Sequence, residues 1–338
     1  MTKIKQESAQ MVLMQRLKDA LPSNLSLVDE LADLLKVSND SAYRRMRGET
    51  ALSIEDIAAI CKHFKLSFDA FLNSHDNGLV TFSYHQLNSH VNSYKEYLLN
   101  ISNDLDKIMH YEDKQIIYAA EDIPVFHHFY HPELTAFKIF YWNKSILNSK
   151  GFEDIKFDKS LVSDELIEIA NGILDRYSKI PSIEIWSDDT VTSTAKQIEF
   201  YWDAGIFSNK EDALLICDQV SLMIERIKKQ AELNMKLDRE NKPAGAENNY
   251  ALYHSDVMIG NNCILVNMGG IKATYISYHT FNIMLTTNAN FSNETDLWLK
   301  NLIRKSNLIS GVAEKQRYQY FKRVEGVMKK LRDKIEAG

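Results

Sequence analysis

The chain has 338 residues, of which 45% are hydrophobic and 25% charged, and its 40 basic and 46 acidic side chains leave a formal net charge of −6. That length holds two or three domains, and the acidic balance excludes a surface that is basic all over. A small positive face remains compatible with nucleic acid, because phosphates are felt over a screening length of roughly 8 Å.

In chain order, Met11, Met14, Leu17 and Leu21 space as one face of a first amphipathic helix, and Val28, Leu31, Ala32 and Leu35 as that of a second. Ser38 stands where an N-cap belongs, after a turn running from Lys36 to Ser38, ahead of a third helix over residues 39–47 that Gly48 closes. Ser53, with Asp56 three residues on, caps a fourth whose expected buried stripe is Ile54, Ile57, Ala58, Cys61 and Phe64. Ser67 opens a last short helix ending at Phe71 and Leu72, so residues 9–75 read as one all-α domain.

From Leu87 to Ile108 the apolar spacing alternates four and three. Val91, Leu98 and Leu105 fall at a positions and Leu87, Tyr94, Ile101 and Ile108 at d positions. This predicts a connecting helix over 86–110 that pairs two chains into a homodimer, although the same stripe would equally serve packing on its own chain.

Residues 112–338 mix strands and helices and read as an α+β domain whose topology does not follow from the pattern. Strands are expected at 115–120 and 183–186, and in the runs ALYHSDVMI, CILVNM and ATYISY after residue 250. Helices are expected at 132–147, 163–177, 191–202, 210–237, 294–309 and 314–335. The polar run DRENKPAGAENN at 238–249 reads as a surface loop or an internal break. The last helix, with eight basic and four acidic residues, reads as a solvated basic face.

The stretch that carries chemistry is LVDELADLLKVSNDSAYRRMRGETALSIEDIAAICKHFKLSFDAFL. A turn so short makes its two helices cross steeply, and Ala32 supplies the small residue a close crossing needs. Helix 39–47 can then project toward a major groove about 12 Å wide. It holds three arginines against Asp40, while residues 1–75 carry ten basic and ten acidic side chains, so positive charge is concentrated on one helix of a neutral module. Arginine suits the O6 and N7 edge of guanine, and asparagine suits adenine.

LADLLKVSNDSAYRRMRGE followed by LSIEDIAAICKHFKLSFDAFL resembles the Cro/repressor-type (Xre-like) helix-turn-helix family over Gln10 to Asn73. The resemblance implies a lambda-repressor-like helix-turn-helix fold and double-stranded DNA as the partner. By it, Asn39, Asp40, Tyr43 and Arg44 fall at base-reading positions, Ser38, Ser41 and Arg47 near phosphate, and Arg45 at either. Two residues depart from the family pattern. Lys36 stands where a glycine is usual, and Arg45 stands where an apolar residue is usual, with Met46 expected to take over part of that packing.

Farther on, His127 and His131 have the i, i+4 spacing of helical metal ligands. The stretch lacks an H-E-x-x-H motif and is rich in aromatics, so it reads as core or pocket lining and no metal site is expected. The sequence holds no G-x-G-x-x-G, phosphate-loop or nucleophile-elbow motif, so neither catalytic residues nor a cofactor are expected. Three scattered cysteines, Cys61, Cys217 and Cys263, argue against a disulfide framework. The opening MTKIKQESAQ lacks an apolar leader core, and no apolar run reaches about 18 residues, so a cytoplasmic location without a membrane span is expected.

The phrases AAEDIPVFHHFYHPELTAFKIFYW, IEIWSDDTVTSTAKQIEFY and NLIRKSNLISGVAEKQRYQYFKRV are similar to uncharacterised C-terminal regions of bacterial regulators with such a head, which implies a small-molecule or protein effector there. The reading as a whole is a one-component, sequence-specific DNA-binding transcription regulator. Two others stay open: a protein-interaction adaptor with a degenerate helix-turn-helix, and a metal- or ligand-sensing protein with an enzymatic distal domain.

Overall fold

The computed structural model describes residues 8–20, 26–64, 78–84, 93–159, 163–278 and 282–338. The chain divides into two compact units, residues 1–82 and 83–338.

Among the described residues of the first unit, four helices enclose a small core: α1 (Ala9–Ala20), α2 (Leu27–Leu35), α3 (Asn39–Met46) and α4 (Ile54–His63). Leu13, Met14, Leu17, Leu27, Leu31, Ala32, Ala42 and Ile60 are buried together. The caps sit where side-chain chemistry puts them. Ser26, Ser38 and Ser53 each accept a bond from a backbone N–H three residues on, and Ser53 forms a full capping box with Asp56. In α4 the buried residue is Ile60, whereas Ile54 is 80% exposed, so the expected stripe is misplaced on that helix. Ile54 opens the helix right after its cap, where the side chain points away from the bundle. Leu21 and the expected helix from Ser67 to Leu72 lie outside the described residues.

The second unit is built on one mixed sheet in the order β1-β7-β6-β5-β2-β3-β4-β8. Its strands are β1 (Ser83–Tyr84), β2 (Lys114–Ala120), β3 (Ser182–Trp186), β4 (Tyr250–His254), β5 (Cys263–Met268), β6 (Ile271–Tyr278), β7 (Asn282–Thr286) and β8 (Asn307–Leu308). Among the described strands β2, β3 and β4 run parallel, with Ile116 opposite Ser182 and Ser182 opposite Tyr250, and the remaining strand pairs are antiparallel. Parallel neighbours need crossovers, and helices supply them. After β2 come α6 (Val125–His128), α7 (Pro132–Tyr141), a π-helical turn (Trp142–Ile146) and α8 (Asp164–Tyr177). After β3 come α9 (Asp188–Asp203) and α10 (Lys210–Leu233).

The side-chain period of two sorts the sheet into two faces. Ile116, Tyr118, Ala120, Trp186, Tyr250, Leu252 and Val266 join the large core with these helices, with α5 (Ser93–Met109) and with α12 (Glu314–Ala337). Ile117, Ala119, Ile185 and Leu265 face the smaller core, which holds Leu299 and Leu302 of α11 (Ala289–Lys305). The central strands are thus covered on both faces, as expected where parallel strands lie at the middle of a sheet.

Two expectations change. The heptad helix belongs to the second unit rather than standing between domains. Tyr94, Leu98, Leu105 and Ile108 are buried in that unit's own core with Ile101 packed against it, while Leu87 and Val91 lie outside the described residues. A stripe with four-three spacing fits a globular groove as well as a partner helix, and here α8 fills the role.

The run 238–249 is no break between domains. Asn249 is buried, donates its amide to the carbonyls of Ser178 and Ala244 and accepts from the Lys236 N–H, which fixes the loop to the body. The basic last helix keeps six of its eight basic side chains exposed, as a solvated face does, although Arg323 bonds Asp188 and Lys334 bonds Glu199 and Asp203; Arg317 alone is buried, against the carbonyls of Ile309 and Gly311.

Candidate nucleic-acid interface

The α2–α3 junction depends on a strained residue. Lys36 ends α2 in the left-handed region, with φ 54° and ψ 46°, and the Val37 N–H reaches back 3.0 Å to the Ala32 carbonyl. A lysine there costs on the order of 1 kcal/mol relative to glycine. After α3, Gly48 has φ 75°, a conformation that favours glycine, while a Cβ there would come 3.2 Å from Met11 Sδ, on a flexible side chain that has only to give by a few tenths of an ångström.

One side chain unmarked by the sequence reading holds this end of α3. Gln10 of α1 donates to the carbonyls of Arg45 (2.7 Å) and Thr50 (2.8 Å) and accepts from the Leu52 N–H (3.1 Å). A lone glutamine on an amphipathic helix gives no sequence signal of that role.

With Ala42 fully buried, the opposite side of α3 is open. Ser38, Asn39, Asp40, Tyr43, Arg44 and Arg47 are exposed, and Ser41 and Arg45 half-buried. Arg44 is 57% exposed and Arg47 60%. Arg47 lies over the Tyr43 ring, 4.4 Å from its centroid, and bonds the hydroxyl at 3.2 Å. Both arginines face Glu49, at 3.8 and 3.7 Å.

Arg45 is not a third outward arginine. It bonds Ser41 through its side-chain and backbone oxygens and pairs with Asp56 at 3.6 Å, while Met46 joins the rim of the core. Arg45 therefore belongs to the domain's own fabric and occupies the Ser41 hydroxyl as well. Ser38 is committed to the Ser41 N–H, and Asn39 donates to Asp29 at 2.8 Å. Asp40, Tyr43, Arg44 and Arg47 are the predicted residues that the fold leaves outward without a tie into the core.

The segment built this way matches a known family. Residues 11–93 match the family model of the BetR domain, a helix-turn-helix type of DNA-binding family. No curated protein and no solved structure matches the chain. The BetR-domain match takes in α1 to α4 and reaches the start of α5.

The three clustered histidines of the second unit part company. The chain leaves α6 at His128, so His127 and His131 do not share a helical face. His127 bonds Glu184 at 2.9 Å, and His131 stands at the N-terminus of α7. Among the described residues no group of three histidines, cysteines or acids is arranged to hold a metal ion, and no helix is long and apolar enough to cross a membrane.

Burial, reinforced by the charge of Lys138, holds His128 well below its ordinary value of 6.5. Burial, with Arg226 adding to it, brings His131 to about 4. The unfolded chain takes up these protons below about 6.5 and the folded unit does not. The stability both histidines contribute is thus complete above 6.5 and is lost as pH falls toward 4, by up to about 1.4 kcal/mol per pH unit for each. Urea midpoints measured from pH 7 to pH 5 are expected to fall, and less steeply in His131→Asn; equal slopes would refute the assignment.

Proposed function

We propose that the protein is a one-component, sequence-specific DNA-binding transcription regulator of the Cro/repressor (Xre-like) type, with α3 as the recognition helix in the major groove. The observation that carries the reading is an exposed helix face presenting Tyr43, Arg44 and Arg47, backed by a helix side buried in the core at Ala42. Arg44 reads a base edge with Asp40 and Tyr43; Arg47, at the C-terminal end of α3, contacts one phosphate, and Ser38, at its N-terminus, lies near another. Asn39 can address a base only by exchanging Asp29 for it. A homodimer on two half-sites would have to use a surface other than the α5 stripe, and the second unit is the place for an effector. No catalysis enters this reading.

The test is a titration of the full chain against selected DNA at several salt concentrations. Affinity is expected to fall linearly with salt on logarithmic axes; a flat response would favour the adaptor reading. Glu49 holds a negative charge beside both arginines, so Glu49→Gln is expected to tighten binding about two- to tenfold at low salt, with weaker sequence preference, since an exposed pair is worth roughly 0–1 kcal/mol and DNA repels the carboxylate in addition. Unchanged or weaker binding would show that Glu49 lies away from the DNA.

A further inference from the structure

The last helix, α12, buries one side in the second unit, through Tyr320, Phe321, Val324, Met328 and Leu331. At 3.6 residues per turn, the crest facing away from that side runs through Lys315, Lys322, Gly326 and Lys329, with Lys330 beside it. All four lysines are exposed.

The basic residues of α12 fall into two groups. Those on its flanks are paired within the unit. Arg323 meets Asp188 at 3.2 Å, Arg332 meets Asp218 and Glu336, and Lys334 meets Glu199 and Asp203 at 2.8 Å each. The crest lysines are not. Among the described residues none of the four has an ion pair or hydrogen bond, and Lys322 only lies 5.7 Å from the centroid of the Tyr318 ring. The one acid between residues 315 and 330, Glu325, is taken by Lys228 of α10 at 2.7 Å. Four uncompensated positive charges are thus lined up over roughly 22 Å, at 1.5 Å of rise per residue, on a chain whose net charge is −6.

Gly326 stands in the middle of this line. Glycine inside a helix costs about 1 kcal/mol relative to alanine. A Cβ at Gly326 would meet nothing within 4 Å, so packing inside the unit does not account for it. A missing side chain does let the backbone of another molecule come close to the helix between the lysines on either side.

We propose that the crest of α12 is a second DNA-contacting surface, which holds phosphates of the duplex whose bases α3 reads. Duplex DNA carries one negative charge per 1.7 Å of axis, or about 13 over 22 Å, so each lysine finds a phosphate without a fixed register. Such contacts add affinity but carry no sequence information. The proposal rests on the regulator reading, because α3 brings the second unit to the same duplex. Tethering of that kind makes contacts count that are too weak to act alone.

The test is anisotropy titration of the full chain, at several salt concentrations, on selected and scrambled duplexes. Lys315→Gln, Lys322→Gln, Lys329→Gln and Lys330→Gln combined are expected to lower the salt slope by about two to four, since each phosphate contact contributes about 0.9. Both duplexes should bind at least tenfold more weakly at low salt, with the ratio between them and the melting temperature unchanged. Glutamine at Lys150, Lys156, Lys179 and Lys305, exposed lysines outside α12, makes the same change of charge and is expected to alter the slope by less than one. Gly326→Glu fills the gap with a carboxylate and is expected to weaken both duplexes at least fivefold without lowering the melting temperature. A crest variant with the slope of the unaltered chain, equal losses from the four lysines outside α12, or unchanged binding by Gly326→Glu would overturn the proposal and leave the α3 reading standing. A crest variant that keeps its DNA slope but loses binding to phosphatidylserine vesicles would overturn it in favour of a lipid surface. Absence of salt-dependent DNA binding by the unaltered chain would remove both readings together.

Discussion

Alanine at Arg44 is expected to reduce affinity for the preferred DNA site by about 1–3 kcal/mol and to relax selection at one base pair. The helix should survive the change. The Arg44 carbonyl, not its side chain, receives the Glu49 N–H at 2.9 Å and so closes α3, while the guanidinium makes only an exposed pair with Glu49. Arg47→Ala is expected to weaken binding to all sequences alike and to lower the salt slope by about one, as loss of a phosphate contact does. Arg45→Ala is the contrast. It removes the Asp56 and Ser41 contacts and should lower the melting temperature while sparing base preference. Anisotropy titrations on selected and scrambled duplexes distinguish the three. If Arg45→Ala relaxed specificity and Arg44→Ala did not, the assignment of the outward face would be wrong.

The largest stability effect is expected at Glu184. This carboxylate is fully buried in β3 and receives bonds from His127 (2.9 Å), the Tyr177 hydroxyl (2.5 Å), Trp186 Nε1 (3.0 Å) and the Tyr250 hydroxyl (3.2 Å). Burial alone would raise its pKa, but His127 and these donors, with Lys236 nearby, hold it below the ordinary value of 4.5. Its contribution is therefore present above 4.5 and is lost as pH falls through the lowered value. Lys236 sits 3.3 Å over the Tyr177 ring and donates to the carbonyls of Tyr177 and Ile180, so one buried negative charge organises several groups. Glu184→Ala takes the acceptor from His127 Nε2, Trp186 Nε1 and the Tyr250 hydroxyl, leaves the Tyr177 hydroxyl only Ser182, and is expected to destabilise the second unit by about 3–5 kcal/mol. Glu184→Gln should cost less, because an amide oxygen still accepts. Urea unfolding followed by tryptophan emission reads this directly, since Trp186 is one of the donors. A loss under about 1 kcal/mol for Glu184→Ala would show that the network relaxes without its acceptor.

Local chemistry was enough to place most elements. Serine caps, the Lys36 turn, the Gly48 stop and period-two runs are decided within a few residues, so α2, α3, β2, β3, β4, β5 and β6 could be read from the amino acids alone. Strands such as β1 and β8, two residues each, exist only because a neighbour offers an edge, and nothing in their own residues announces them.

The sequence by itself determined that an arginine-bearing helix follows a short turn in a neutral helical module, because caps, turns and periodicity act over one or two helical turns. Only the tertiary structure decided which arginine faces out, that the heptad stripe is buried within its own unit, that Glu184 gathers four donors, and which basic residues of α12 find an acid. Each of those depends on side chains far apart in the chain, and residue spacing carries no record of which distant group will arrive.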